Sequence, residues 1–240
     1  LTTNGTFLAR HAEGLVESGL DSIVISVDGP EDVHDSIRGV RGTFARALEG
    51  ALEVARLKAE AGRAKPRVRI NCTINSRNTA VLGAMPRIAE AFGADSLLFS
   101  HLWFWDREIV ERHNRACGDF CPVVEQNVHE LDMIDPALVA GGLEMARRTG
   151  ARLAVKCLPE LDERQIRRYY TERARPVTRA ACRAVWLSGF IMPSGEVLPC
   201  LDYSYGNLND RPFGELWNGP RARAFRKRLR AAGIFPGCVR

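Results

Sequence analysis

The chain predicts an α/β protein: a parallel sheet of barrel type with helices outside it, followed by a small C-terminal lobe built from a β-hairpin and a helix. Three observations point there. Strand-like and helix-like patterns alternate from Leu1 to Glu172 in the order βαβαβαβαβα, which implies parallel strands joined by crossover helices. No Gly-rich phosphate-binding turn follows any strand, so a barrel is favoured over a doubly wound nucleotide-binding sheet. After Arg175-Pro176 the pattern changes to short β-prone runs punctuated by Cys, Pro and Gly. This divides the chain into residues 1–176 and 177–240.

Leu1-Thr2-Thr3-Asn4-Gly5 reads as the end of a strand entering a helix over Thr6–Ser18, where Leu8, Ala12, Leu15 and Val16 share a face and Gly19 ends the run. Ser22–Asp28 is a nearly unbroken apolar run of the kind that strands covered on both faces show, and Gly29-Pro30 stops it. Glu31–Gly42 reads as a loop carrying His34, Asp35 and Arg38. Thr43 is the expected N-cap of a helix with Phe44, Leu48, Ala51, Leu52 and Ala55 at helical spacing, ending near Gly62. Arg67–Asn75 alternates: Val68, Ile70, Cys72 and Ile74 lie on one face, Arg69, Asn71, Thr73 and Asn75 on the other. With helices outside, the polar face must line water or a ligand. Thr79–Phe92 is helical, kinked or restarted at Pro86. Ser96–Ser100 is the next strand, Asp135-Pro136 caps and opens a helix to Arg148, and Ala151–Val155 and Leu161–Glu172 supply the last strand and helix. Trp103-Phe104-Trp105 either walls a substrate at the barrel mouth or packs in a core.

A chain of 240 residues can bury a large core or a core plus an appendage. No apolar run approaches the roughly 20 residues of a membrane span, and no basic-then-apolar leader opens the chain, so no membrane partner and a cytoplasmic setting are expected. Seven cysteines, an odd number, argue for reduced thiols or metal ligands and against a disulfide scaffold. Much of the net charge of +5 comes from Arg221–Arg230, an amphipathic basic helix that permits an anionic partner. It has little aromatic interleaving, so nucleic acid is not expected. His11, His113 and His129 are expected at the surface. Cys117 and Cys121 lie one turn apart if helical, without further ligands clustered nearby in sequence.

Val185–Met192 and Glu196–Leu198 are β-prone, and Pro193-Ser194-Gly195 between them supplies a hairpin turn. Folding back there brings Cys182 and Cys200, with seventeen residues between them, to one end of the hairpin. Cys238 stands in a Pro-Gly loop. Such thiolates suit an iron–sulfur cluster; a zinc site with four cysteine ligands and independent buried thiols are the alternatives.

Cys182, twelve residues, Gly195, four residues, Cys200 and the distant Cys238 resemble the auxiliary-cluster twitch or SPASM lobe of radical S-adenosylmethionine (radical SAM) enzymes. Leu1-Thr2-Thr3-Asn4-Gly5-Thr6 and the stretch Ile25–Gly39, with Ser26, Asp28, His34, Asp35 and Arg38, resemble the third and fourth strand ends of the same family's barrel. The resemblance spans nearly the whole chain. It implies an auxiliary [4Fe-4S] cluster on Cys182, Cys200, Cys238 and a fourth cysteine near position 241. It also implies that Ser26, Arg38 and Asn75 hold S-adenosylmethionine. The family's CxxxCxxC, which binds a second [4Fe-4S] cluster, is absent from the 240 residues, and its place is upstream of Leu1. The expectation is a chain truncated at both ends, lacking the barrel's first strands and unable by itself to cleave S-adenosylmethionine. The intact enzyme is expected to take an electron from a donor such as flavodoxin or ferredoxin, cleave the cofactor to a 5′-deoxyadenosyl radical, and abstract hydrogen from a ribosomal peptide, a protein or a small metabolite, with peptide modification favoured among these. The rival expectation is a non-catalytic zinc-binding module whose basic tail recruits an acidic partner or RNA.

Overall fold

The structure, a computed structural model, describes residues 1–104, 106–123, 134–150, 153–172, 177, 181–200 and 203–238. In chain order the elements are β1 (Thr2–Thr3), α1 (Leu8–Glu17), β2 (Ser22–Ser26), α2 (Glu31–Arg38), α3 (Thr43–Glu60), β3 (Arg67–Ile74), α4 (Met85–Ala91), β4 (Ser96–His101), α5 (Arg107–Cys117), α6 (Pro136–Thr149), β5 (Ala154–Leu158), α7 (Glu163–Thr171), β6 (Phe190–Ile191), β7 (Glu196–Leu198), β8 (Gly206–Asn207), α8 (Phe213–Trp217) and α9 (Pro220–Ala232). They form two compact units. The first comprises Leu1–Leu102 with Leu131–Tyr170, and the second comprises Trp103–Glu130 with Thr171–Arg240. The single division expected at Arg175-Pro176 falls outside the described residues, as do Trp105, His129 and the expected strand start at Ala151.

In the first unit, five parallel strands pair in the order β1-β2-β3-β4-β5. A doubly wound sheet reverses its strand order at one point. Strands that step in one direction through right-handed crossovers instead carry all their helices on one face. The expected α/β barrel-type architecture is therefore borne out. Burial follows the strand period of two: Ile23, Ile25, Val68, Ile70, Cys72, Ile74, Leu97 and Phe99 are buried, while Ser26, Asn71, Thr73, Leu98 and Ser100 are half-buried. Burying each large aliphatic side chain contributes about 1.5–3 kcal/mol, and a one-residue slip would turn the whole set outward, so the apolar face fixes the register. Gly5 opens the turn into α1 at φ 79°, and a Cβ there would come within 2.7 Å of Ala47 Cβ on α3. Only glycine satisfies both constraints.

Several local expectations change. Glu31–Arg38, read as loop, is helical: Pro30 sets the entry, Glu31 and Asp32 occupy the first turn, and Gly39 closes the helix at φ 69°. Thr43 lies inside α3, and the capping function passes to Asp35, whose carboxylate accepts from the Thr43 hydroxyl, from Phe44 N–H and from Gly42 N–H. Thr79–Ala84 is a 3₁₀ turn and not α-helix, while Pro86 restarts the run as expected, in the first turn of a new helix, α4. Unexpected altogether is α5, begun by Asp106, whose side chain accepts from Ile109 N–H at 2.8 Å.

In the second unit β6, β7 and β8 form a small antiparallel sheet, and Gly195 makes the hairpin turn at φ 89°. The strand expected over Val185–Met192 is reduced to Phe190–Ile191, because Ala184–Trp186 curls into a 3₁₀ turn. Phe225 of α9 is buried among Phe120, Tyr203, Tyr205 and Phe235. The basic helix is used internally: Arg226 lies 4.5 Å from the Trp217 ring centroid, Arg228 lies 4.2 Å from that of Phe120, and Arg230 lies 5.7 Å from that of Trp186. No helix among the described residues is long and apolar enough to cross a membrane.

Candidate cofactor face and cysteine cluster

Parallel barrel-type sheets carry chemistry at the carboxyl ends of their strands. There Ser26 of β2 is in register with Asn71 of β3, and Thr73 of β3 with Ser100 of β4. Ser100 Oγ donates to Asn71 Oδ1 at 2.8 Å. These residues make a polar belt on the face away from the buried aliphatic set. Asn71 and Ser100 were not singled out from the sequence; the alternation of Arg67–Asn75 was the signal for Asn71, and Ser100 follows from the register of β4 on β3.

Beyond the strand ends lies a network centred on Asp28, which is 3% exposed. Its Oδ2 pairs with Arg38 Nη2 at 2.7 Å, its Oδ1 accepts from Thr73 N–H at 3.2 Å, and its own N–H donates to His34 Nδ1 at 3.1 Å. Asn78, fully buried, donates from Nδ2 to the carbonyls of Asp28 and Thr73, both at 2.9 Å. Burial holds His34 below its ordinary pKa, against the opposing pull of Asp28. With Nδ1 accepting, the proton of the neutral ring is on Nε2, which finds no partner among the described residues. Of the three residues expected to touch the cofactor, Ser26 stands in the belt. Arg38 ends α2 with its side chain one third exposed and paired to Asp28. Asn75 holds its own loop, donating from Nδ2 to Thr73 O and accepting at Oδ1 from Arg77 N–H.

In the second unit, Cys182, Cys200 and Cys238 are half-buried and pack against one apolar core, joined there by the half-buried Cys117 and the buried Cys121. None of the seven cysteines is in a disulfide. Burial pushes the Cys238 thiol up, and the neighbouring Cys182 and Cys117 thiols push it the same way. His113, expected at the surface, is 3% exposed. Its Nδ1 accepts from Gly237 N–H at 3.0 Å and its Nε2 meets Cys121 O at 2.6 Å. One buried ring thus ties the loop before Cys238 to the turn after α5. Trp103 is exposed and Phe104 buried.

The donor set fits an iron–sulfur cluster, whose thiolates sit on separate irons. Among the described residues no three His, Cys, Asp or Glu side chains stand close enough to hold one metal ion.

The model of SPASM, an iron-sulfur cluster-binding domain, matches residues 182–238. Pre-heme d1 synthase of Dinoroseobacter shibae is 26% identical over 238 residues, covering 92% of this chain and 54% of that protein. AdoMet-dependent heme synthase of Methanosarcina barkeri is 27% identical over 244 residues, covering 95% of this chain and 61% of that protein. The chain thus spans just over half the length of these relatives. Streptococcus suis SuiB, in its crystal structure bound to S-adenosylmethionine, shares the fold with a TM-score of 0.61 at 16% identity, covering 94% of this chain and 49% of that one. SuiB is also known in complex with the precursor peptide SuiA. The resemblance to radical SAM enzymes with a SPASM-type lobe holds along the chain.

Proposed function

We propose that this chain carries the S-adenosylmethionine-binding face and the auxiliary [4Fe-4S] cluster of a radical SAM enzyme. The observation that carries the reading is the convergence of Cys182, Cys200 and Cys238 on one core, within the segment matched by an iron–sulfur domain model. Ser26, with Asn71 beside it, offers a hydroxyl and an amide to the ribose or methionine end of the cofactor. Arg38 offers the unpaired edge of its guanidinium to the carboxylate, and Asn75 keeps the β3 loop in place. In the whole enzyme, S-adenosylmethionine held there and reduced by one electron from a second [4Fe-4S] cluster outside these residues would give methionine and a 5′-deoxyadenosyl radical able to abstract hydrogen from substrate. The electron comes from a flavodoxin- or ferredoxin-type donor.

For the substrate, relatives named for heme and pre-heme d1 synthesis, matched over more than nine tenths of the chain, favour a small molecule of the tetrapyrrole class. Beside Cys182 lies a cavity of about 440 Å³, with Trp186, Leu187 and Leu229 as apolar walls and Arg183 and Arg230 as cations that suit a ligand bearing carboxylates. A modified peptide is the second reading, favoured by the fold shared with SuiB in its peptide complex.

Anaerobic reconstitution with iron and sulfide tests the cluster. A brown product containing both elements is expected, and a zinc-only product overturns the reading. In the enzyme, Ser26→Ala and Arg38→Ala should each weaken S-adenosylmethionine binding about ten- to a hundredfold, as loss of a hydrogen bond to a charged group does, with iron content unchanged. Unaltered affinity in both variants removes them from the site. Turnover of a tetrapyrrole rather than a peptide separates the two substrates.

A further inference from the structure

We propose that Cys117, at the end of α5 and outside the matched 182–238 segment, is a further thiolate ligand of the auxiliary cluster. The inference rests on the cluster reading above. Three arrangements place this residue. Cys117 is the last residue of α5, and its carbonyl accepts from Phe120 N–H at 2.9 Å and Cys121 N–H at 2.7 Å, so a tight turn fixes where the helix stops. The turn is then held to the loop that carries Cys238: His113 bonds Gly237 N–H with one nitrogen and Cys121 O with the other. A Cβ at Gly237 would lie 2.9 Å from His113 Nδ1, so only glycine lets the loop approach the ring this closely. From α9, Arg228 grips Asp119 at 3.1 Å and covers Phe120. All these contacts lie within the second unit.

Cys117 and Cys121 are not equivalent. Cys121 is 3% exposed within the apolar core, whereas Cys117 is half-buried at its edge, as Cys182, Cys200 and Cys238 are. All four pack against the same buried core. A cubane has four irons, and each thiol that binds releases its proton to solvent and ligates as thiolate. Cys182, Cys200 and Cys238 serve three irons. Cys117 serves the fourth, in place of a cysteine near position 241.

The test uses the chain reconstituted anaerobically, with Cys117→Ser, Cys121→Ser and Cys182→Ser variants assayed for iron, sulfide and electron paramagnetic resonance. Expected are a stable cluster in Cys121→Ser, and in Cys117→Ser a loss of roughly one iron in four with the signal of a three-iron cluster. Wild-type iron and spectrum in Cys117→Ser overturn this inference alone if Cys182→Ser loses the cluster. If Cys182→Ser also keeps its iron, or the parent chain takes up none, the cluster reading fails and this inference with it. Alkylation mapping by mass spectrometry covers a variant that does not fold: in the parent chain, cluster loading should protect Cys117 together with Cys182. Labelling of Cys117 at the metal-free rate overturns the assignment.

Discussion

The two units hold their candidate site residues by different means. In the sheet unit, Ser26, Asn71, Thr73 and Ser100 occupy their places because the strands are regular: register and the period of two put them on one face, backed by aliphatic side chains on the other. The cysteine unit has strands of only two or three residues. Its thiols are placed by side chains, by the ring cluster around Phe225, by arginines stacked on aromatics and by the His113 clasp. A backbone lattice tolerates the loss of one side chain better than a set of clasps does. The sheet unit should therefore be the more robust of the two, and the cysteine unit the one that ligation stabilises.

The sharpest break in that comparison is Phe225→Ala. Removing a fully buried ring costs about 3–5 kcal/mol, and hydrogen exchange should show lost protection in residues 181–238 while β2, β3 and β4 stay protected. Equal loss in both units would show that they unfold as one. Next comes acid. Burial, assisted by Arg147, holds His101 at a pKa of about 4 against an ordinary 6.5, so the unfolded chain binds the proton more readily. This contribution is complete above pH 6.5 and is lost as pH falls toward 4. It amounts to on the order of 3 kcal/mol, at about 1.4 kcal/mol per tenfold change in proton affinity. Thermal unfolding of His101→Asn should show a flatter acid limb than the parent between those values.

Asp28→Asn keeps the shape but removes the charge facing Arg38, for an expected loss of about 1.5–3 kcal/mol in urea unfolding. The effect should be confined to the sheet unit. Smallest is Arg228→Ala, which removes an exposed ion pair with Asp119 and a stacked cation on Phe120 for about 1 kcal/mol. A larger effect there would mean that α5 depends on this grip more than on His113.

The same contrast decided what could be read from sequence. β2, β3 and β4 were legible because their periodicity is local and the sheet rewards it. So were the cysteines of the lobe, whose spacing around Gly195 survives as a motif even though the β6 strand shrinks to two residues. Missed were α2 and α5, both polar: α2 has local start and stop residues in Pro30, Glu31, Asp32 and Gly39 that lack an apolar stripe between them, and both helices also draw on contacts from elsewhere in the chain. Arg77 donates to carbonyls at the end of α2. His113 of α5 owes its burial to backbone groups at Cys121 and Gly237. Ile109, Val110 and His113 do have helical spacing after an Asp cap, a signal that was present but weak. Asn71 was passed over for Asn75 because a strand-end position stood out in sequence, while its pairing with Ser26, a residue named from the sequence, emerges only from the register of the strands.

The Asp35 cap has a consequence for how Arg38 moves. Because a carboxylate on α2 closes the first turn of α3, and Arg77 binds the carbonyls of Ser36 and Ile37, the C-terminal half of the helix that carries Arg38 is held twice. Displacing it would mean opening the start of α3, a collective motion of microseconds or longer. Turning the guanidinium away from Asp28 requires only torsions of its own side chain, a picosecond-to-nanosecond event at a partly exposed position. An exchange of Asp28 for an incoming carboxylate would therefore be complete long before any helix could respond.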